Sequence, residues 1–120
     1  MERAIPHLRI LEYDTAVAFY VDILGFEIDF EWRHEPGLNV YMGIRRGTLY
    51  VHLSEHEGSG PPGQGSGMTL SVTDVNSWYE TLKQKGVSFT NEIMTHPWGF
   101  RDFMVHDPFG NSIVITLPDT

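Results

Sequence analysis

The chain has 120 residues, 41% of them hydrophobic, which is enough for one domain with a real core and too few for two ordinary ones. Its formal net charge of −8 repels phosphate backbones and argues against a nucleic-acid partner, while the same acidity either attracts cationic ligands or simply keeps the protein soluble. With no cysteine it has no disulfide, thiolate or Cys-zinc chemistry, and with no bilayer-length apolar run and no signal-like start the expectation is a cytoplasmic protein with no membrane partner.

Arg3 to Leu11 predicts a strand. Asp14 is placed to cap a helix whose Ala16, Phe19, Tyr20, Ile23 and Leu24 form one apolar stripe, and Gly25 sits where the helix would end. Phe26 to Arg33 alternates Ile28 and Phe30 against charged neighbours, as a strand does, and His34 to Gly37 is a turn. Val40 to Arg45 and Thr48 to Ser54 predict two strands joined tightly through Arg46 and Gly47. The run EGSGPPGQGSG from Glu57 to Gly67 has no apolar pattern and is read as a flexible linker, with 57–66 dividing modules of about 1–56 and 67–120 within a single domain. A strand at Met68 to Val72 follows. A helix capped by Asp74, with Val75, Trp78, Tyr79 and Leu82 on one stripe, then closes at Gly86. Short β segments run to the end, with a hairpin turn over Asp107 to Asn111.

The order strand, helix, three strands therefore occurs twice. Ile10 matches Val72 and Glu12 matches Asp74 at an offset of 62, which slips to 61 between Gly25 and Gly86. The expected fold class is α+β, built from two βαβββ modules whose helix-backed sheets pair because one module alone has too little core.

Alternation splits the strand residues into two faces. Leu8, Ile10, Leu49, Val51, Leu53, Met68, Leu70, Val72, Ile113, Ile115 and Leu117 form the face that packs under the helices. The other face carries Ile5, His7, Arg9, Tyr50, His52, Ser54, Gly67, Thr69, Ser71, Ser112, Val114 and Thr116. It is polar yet holds no Lys, Asp or Glu. That composition suits a ligand cavity, although a half-exposed sheet with ordinary hydroxyls would have it too.

Other patterns carry less. His52-Leu-Ser-Glu-His56 spells a zinc-protease motif, but that chemistry needs a helix, and on a strand the two imidazoles stand about 13 Å apart. No nucleophile elbow, Ser/His/Asp arrangement or P-loop is present. His96 and His106 read as surface or hairpin residues. Glu31, Glu35 and Asp102 read as solvated carboxylates that would face a cationic compound if they lined a crevice. Phe30, Trp32, Trp98 and Phe100 are placed just outside the cavity-lining strands. Each alone reads as core or interface packing.

The stretches HLRILEYDTAVAFYVDILGF, LSVTDVNSWYETLKQKG and PWGFRDFMVHDPFGNSIVI resemble the vicinal oxygen chelate superfamily of glyoxalases, bleomycin resistance proteins and dioxygenases, over nearly the whole chain. The triplet Pro97-Trp98-Gly99, followed by Arg101 and by Asp107 to Asn111, looks most like the bleomycin resistance branch. The resemblance implies mixed sheets that form cup-like cavities, and a homodimer in which halves of different chains can share a cup. It places the superfamily's metal ligands at Ile5, His52, Gly67 and Val114. Three of these have no donor side chain, so neither metal nor other cofactor is expected. It matches Arg9 to an arginine that faces a substrate carboxylate, with pairing to a carboxylate of the protein as the alternative. It also implies drug stacking on Trp98 and on Phe30 or Trp32.

The ligand-binding candidates are thus His7, Arg9, Phe30, Trp32, Tyr50, His52, Trp98, Phe100 and Arg101, with no catalytic residue assigned. The implied function is sequestration of a planar cationic or zwitterionic compound, such as a bleomycin-like antibiotic, in a dimer crevice. The alternative is a glyoxalase- or dioxygenase-like enzyme with an altered or absent metal site, in which His7, His52 or Arg9 does acid–base work. A self-protection or regulatory module with an unrelated natural product as ligand is a third reading.

Overall fold

The computed structural model describes residues 2–118. The elements follow the doubled order read from the sequence. Strand β1 (His7–Arg9) is shorter than the pattern predicted, because only these residues pair with the neighbouring strand. Helix α1 (Tyr13–Val17) is capped by the Glu12 carboxylate, which accepts from the Asp14 and Thr15 N–H groups. Asp14 therefore sits in the first turn and is not the cap. The helix widens into a π-helical segment, Ala18–Ile23, in which Leu24 N–H reaches back to the Phe19 carbonyl. Strands β2 (Glu27–Trp32), β3 (Tyr41–Arg46) and β4 (Leu49–Ser54) complete the first module. Its sheet has the order β1-β4-β3-β2, with β1 parallel to β4.

The second module repeats this arrangement with β5 (Gly67–Ser71), α2 (Val75–Gln84), β6 (Asn91–Thr95), β7 (Phe100–His106) and β8 (Ser112–Pro118). Its sheet order is β5-β8-β7-β6, and Asp74 caps α2 by accepting from Ser77 N–H. Register makes the duplication literal. The Cα partners Arg9, Ser54, Tyr41 and Trp32 form one row across the first sheet, and Ser71, Thr116, Asp102 and Met94 form the corresponding row of the second. Each sheet also carries its irregularity on the second strand of its module, near Ile28 and Phe30 in one and Asn91 and Met94 in the other.

Both sheets turn their apolar residues into one core. Leu8, Ile10, Val51, Leu53, Met68, Leu70, Ile113 and Ile115 are all buried there with Tyr20, Trp78 and Leu82 of the helices. Two hairpin tips clasp the opposite module, at pseudo-equivalent positions. Asp107, between β7 and β8, accepts from the Tyr20 hydroxyl at 2.6 Å. Arg46, which ends β3, donates to the Leu24 carbonyl of its own module and lies over the Trp78 ring of α2 in the other. Lys85, at the end of α2, donates to the carbonyls of Asp22 and Ile23, so the two helices meet at their C-terminal ends.

The connecting segment, read as a flexible linker, carries a short turn at Glu57–Ser59 and bonds to both modules. Arg9 donates to the Gly60 carbonyl, and the Ser66 hydroxyl bonds Asn111, whose amide in turn holds the Arg9 carbonyl.

Candidate functional site

The residues that avoid the core define the candidate surface. On the first sheet one row runs His7, His52, Gly43, Phe30 as direct Cα partners across four strands. Gly43 is required there, because a Cβ would overlap the Phe30 ring that lies across it. The glycine lets Phe30 reach inward, edge-on to His52 at 5.3 Å and stacked beside Tyr41 at 6.4 Å. His7 meets the same Tyr41 edge-on at 5.5 Å. The Tyr41 hydroxyl lies 2.9 Å from His52 Nδ1. Burial, reinforced by the nearby His7, holds the His52 imidazole below its ordinary range, which favours the neutral ring. A neutral ring that accepts at Nδ1 from Tyr41 carries its proton on Nε2 and offers a donor there. Trp32 stands in the next row beside Tyr41.

The second sheet presents a different chemistry from its equivalent face. His96 Nε2 is 2.7 Å from the Asp102 carboxylate, and Trp98 stacks on the His96 ring at 4.3 Å, nearly parallel. Thr90 and residues Asn91 to Met94 of β6 line a hollow together with His96 and Asp102. Phe100 follows Trp98 at the start of β7, two residues from Asp102 and on the same side. Thr116, between Ser71 and Asp102 in its row, has a buried hydroxyl oxygen with no hydrogen-bond partner.

These aromatic groups are exposed, with Phe30 at 39%, Trp32 at 54%, Trp98 at 69% and Phe100 at 39%; they are not core packing. Phe30 and Trp32 lie on β2, within the strand that the pattern predicted, and Phe100 opens β7.

The structure brings together His7, His52, Phe30 and Trp32 on one sheet and Trp98 with Phe100 on the other. Tyr50 belongs to the first face but is covered by the Arg3 guanidinium, 3.7 Å above its ring. Among the described residues Arg9 pairs with no carboxylate. Its guanidinium is spent on the carbonyls of Ile10 and Gly60. Arg101 lies on the opposite side of β7, where it bonds Asn76 of α2 and Thr95. It alternates with Asp102 and cannot share its face.

Asp102, read from the sequence as solvated, is instead half-buried and paired. Tyr41 escaped the sequence reading, which took His96 for a surface or hairpin residue and Asp102 for a solvated carboxylate that would face a cationic compound if it lined a crevice. Alternation from Ser54 through the β3–β4 register would have found Tyr41, but nothing local announces the His96–Asp102 pair.

The donor set does not fit the superfamily's metal. Ile5, Gly67 and Val114 lack donor atoms. The direct strand partner of His52 is His7, which brings the imidazoles to two, and a divalent ion of this type needs three or four ligands.

Comparison with known proteins places this geometry. The family model described as glyoxalase superfamily protein matches residues 1–117. The bleomycin-binding protein of bleomycin-producing Streptomyces verticillus, solved with copper(II)-bleomycin, is 30% identical, with coverage of 98% of this chain and 96% of that one and a TM-score of 0.73. A bleomycin-binding protein solved with bleomycin is 26% identical, covering 98% of each chain, with a TM-score of 0.76. The bleomycin resistance determinant encoded on transposon Tn5 superposes with a TM-score of 0.81 over 100% of both chains at 24% identity, which bears on the fold alone. No curated protein matches the sequence.

Proposed function

The chain belongs to the glyoxalase superfamily, and from that premise we propose that it is a binding protein that sequesters a planar cationic or zwitterionic compound, of the bleomycin type, without a metal. The observation that carries this reading is the exposed aromatic surface around His52. Phe30, Tyr41, His7 and Trp32 offer ring faces and edges on a rigid sheet, whereas a surface with no ligand would carry charged side chains. The solved bleomycin-binding proteins, similar over almost their whole length, support the same class of ligand.

In this reading a second copy of the chain covers the aromatic surface. The Phe30–Trp32 face of one protomer and the Trp98–Phe100 face of its partner then form the two walls of a crevice. Asp102 and the net charge of −8 favour a cationic guest. Cytoplasmic location and a role in antibiotic resistance belong to the same proposal. No helix among the described residues is long and apolar enough to cross a membrane.

Titration of the protein with a bleomycin-type compound, followed by tryptophan fluorescence, tests it. Saturable quenching that is lost in Trp98→Phe or Trp32→Phe supports capture in the crevice, and a flat titration refutes it. Light scattering that gives a monomer at working concentration removes the two-walled crevice.

The Tyr41–His52 hydrogen bond supports a second reading, in which a neutral imidazole serves as general base in a metal-free enzyme. A His52→Ala variant that keeps full ligand affinity and loses no turnover removes that reading.

A further inference from the structure

Away from both aromatic faces, the junction between the modules contains a cavity of about 440 Å³ lined by Arg46, Thr48, Leu49, Ser71, Thr73 and Trp78. Arg46 is the feature that stands out in it. Its guanidinium is fixed by the Leu24 carbonyl at 2.7 Å and by the Trp78 ring at 3.7 Å. Among the described residues it has no carboxylate partner, unlike Arg33, which lies near Glu55, and Arg45, which lies near Glu27 and Asp29. Partial desolvation against the Trp78 ring lowers its proton affinity, while the residue as a whole stays exposed.

The groups around Arg46 suit an anion. Thr48, Ser71 and Thr73 supply hydroxyls. Strand β5 is the edge of its sheet, and Val72 N–H is turned inward to the Thr116 carbonyl. Alternation therefore directs the Ser71 N–H to the open side, toward the cavity. A second cavity of about 390 Å³ shares Thr48 and Leu49 with the first and continues along Ile5, Pro6, Tyr50 and Leu70. It offers apolar walls, with the Arg3 guanidinium lying over Tyr50 at its side.

We propose that this junction is a second ligand site, which takes a small amphipathic carboxylate with its head at Arg46 and its hydrocarbon tail along Leu49, Ile5 and Leu70. A guanidinium fork and flanking hydroxyls match a carboxylate, and the adjoining apolar trough distinguishes it from a bare inorganic anion. The Arg46 end of the site shares no lining residue with the aromatic surface around His52.

The test is a titration of the full-length protein with sodium octanoate, acetate and inorganic phosphate, read by amide and arginine side-chain nuclear magnetic resonance. The expected result is a saturable shift of the Arg46 Nε–H and of the Ser71 and Thr73 amides, with octanoate binding about tenfold or more tighter than acetate or phosphate. Because Arg46 also clasps the modules, its removal would confound binding with folding. The probe variant is therefore Thr48→Glu, an exposed rim residue whose new carboxylate repels the head group. It is expected to weaken octanoate about tenfold with an unchanged Tm. No saturable shift at these groups, equal affinity for all three anions, or full octanoate affinity in Thr48→Glu would each overturn the proposal.

Discussion

Replacing Tyr20 by Phe isolates the clasp between the two modules. The Tyr20 ring is 0% exposed and Asp107 only 5%, and the phenol donates to the carboxylate at 2.6 Å. The substitution keeps the ring and its packing and deletes one charge-assisted hydrogen bond, a type worth about 1.5–3 kcal/mol in net terms. Asp107 is not left bare. It still accepts from Phe109 N–H, Asn111 N–H and the Asn111 amide, which places the expected loss near the lower end, about 1.5–2 kcal/mol. Urea unfolding followed by tryptophan fluorescence should show the midpoint falling with the slope unchanged, since the exposed area on unfolding does not change.

The clasp also has a pH signature. Burial, and then the Asp107 charge, push the Tyr20 phenol well above its ordinary range. The folded state therefore holds a proton that the unfolded state releases near pH 10. This stabilisation is complete below that pH and is lost as pH rises beyond it. The wild type should lose stability more steeply than Tyr20→Phe in alkali. A change in unfolding free energy below about 0.5 kcal/mol would mean that the hydrogen bond does not hold the modules together, and the reasoning would fail.

Further outcomes follow from other residues. Thr116→Val replaces a buried hydroxyl that has no partner by a methyl of similar shape, and should raise stability by about 1 kcal/mol, read as a higher Tm in calorimetry. Gly43→Ala should swing the exposed Phe30 ring off its glycine with a stability change under about 1 kcal/mol, yet abolish the fluorescence response to a bleomycin-type compound. His52 is held below its ordinary range by burial and His7, so its neutral form stabilises the fold above the unfolded value of about 6.5, and that contribution is lost as pH falls through its folded value. A Tm profile from pH 7.5 to 5 should therefore slope downward toward acid and flatten in His52→Gln, with the Asp29 charge acting in the opposite sense.

The sequence alone determined the doubled βαβββ order, the split between the core face and the polar face, and the second helix cap at Asp74. These are written in local periodicity, which backbone geometry converts directly into burial: Leu8, Val51, Met68 and Ile113 could pack in only one direction once strand and helix were assigned. The capping of α1 was less legible. Glu12 and Asp14 both offer a carboxylate, and only the backbone path chose between them.

Tertiary structure decided the site. Arg9 and Arg101 both read as ligand-facing, yet one is consumed by carbonyls of its own and the connecting segment and the other falls on the helix side of β7. The Tyr41–His52 bond joins β3 to β4, and the His96–Asp102 pair joins the residue after β6 to β7, beside the irregular β6–β7 register. A bulge shifts every later residue to the other face, and no single-strand pattern records where a bulge will fall. The fold follows from short-range periodicity summed along the chain, whereas the site depends on which residues meet across strands, a choice the chain makes only when the sheets close on their shared core.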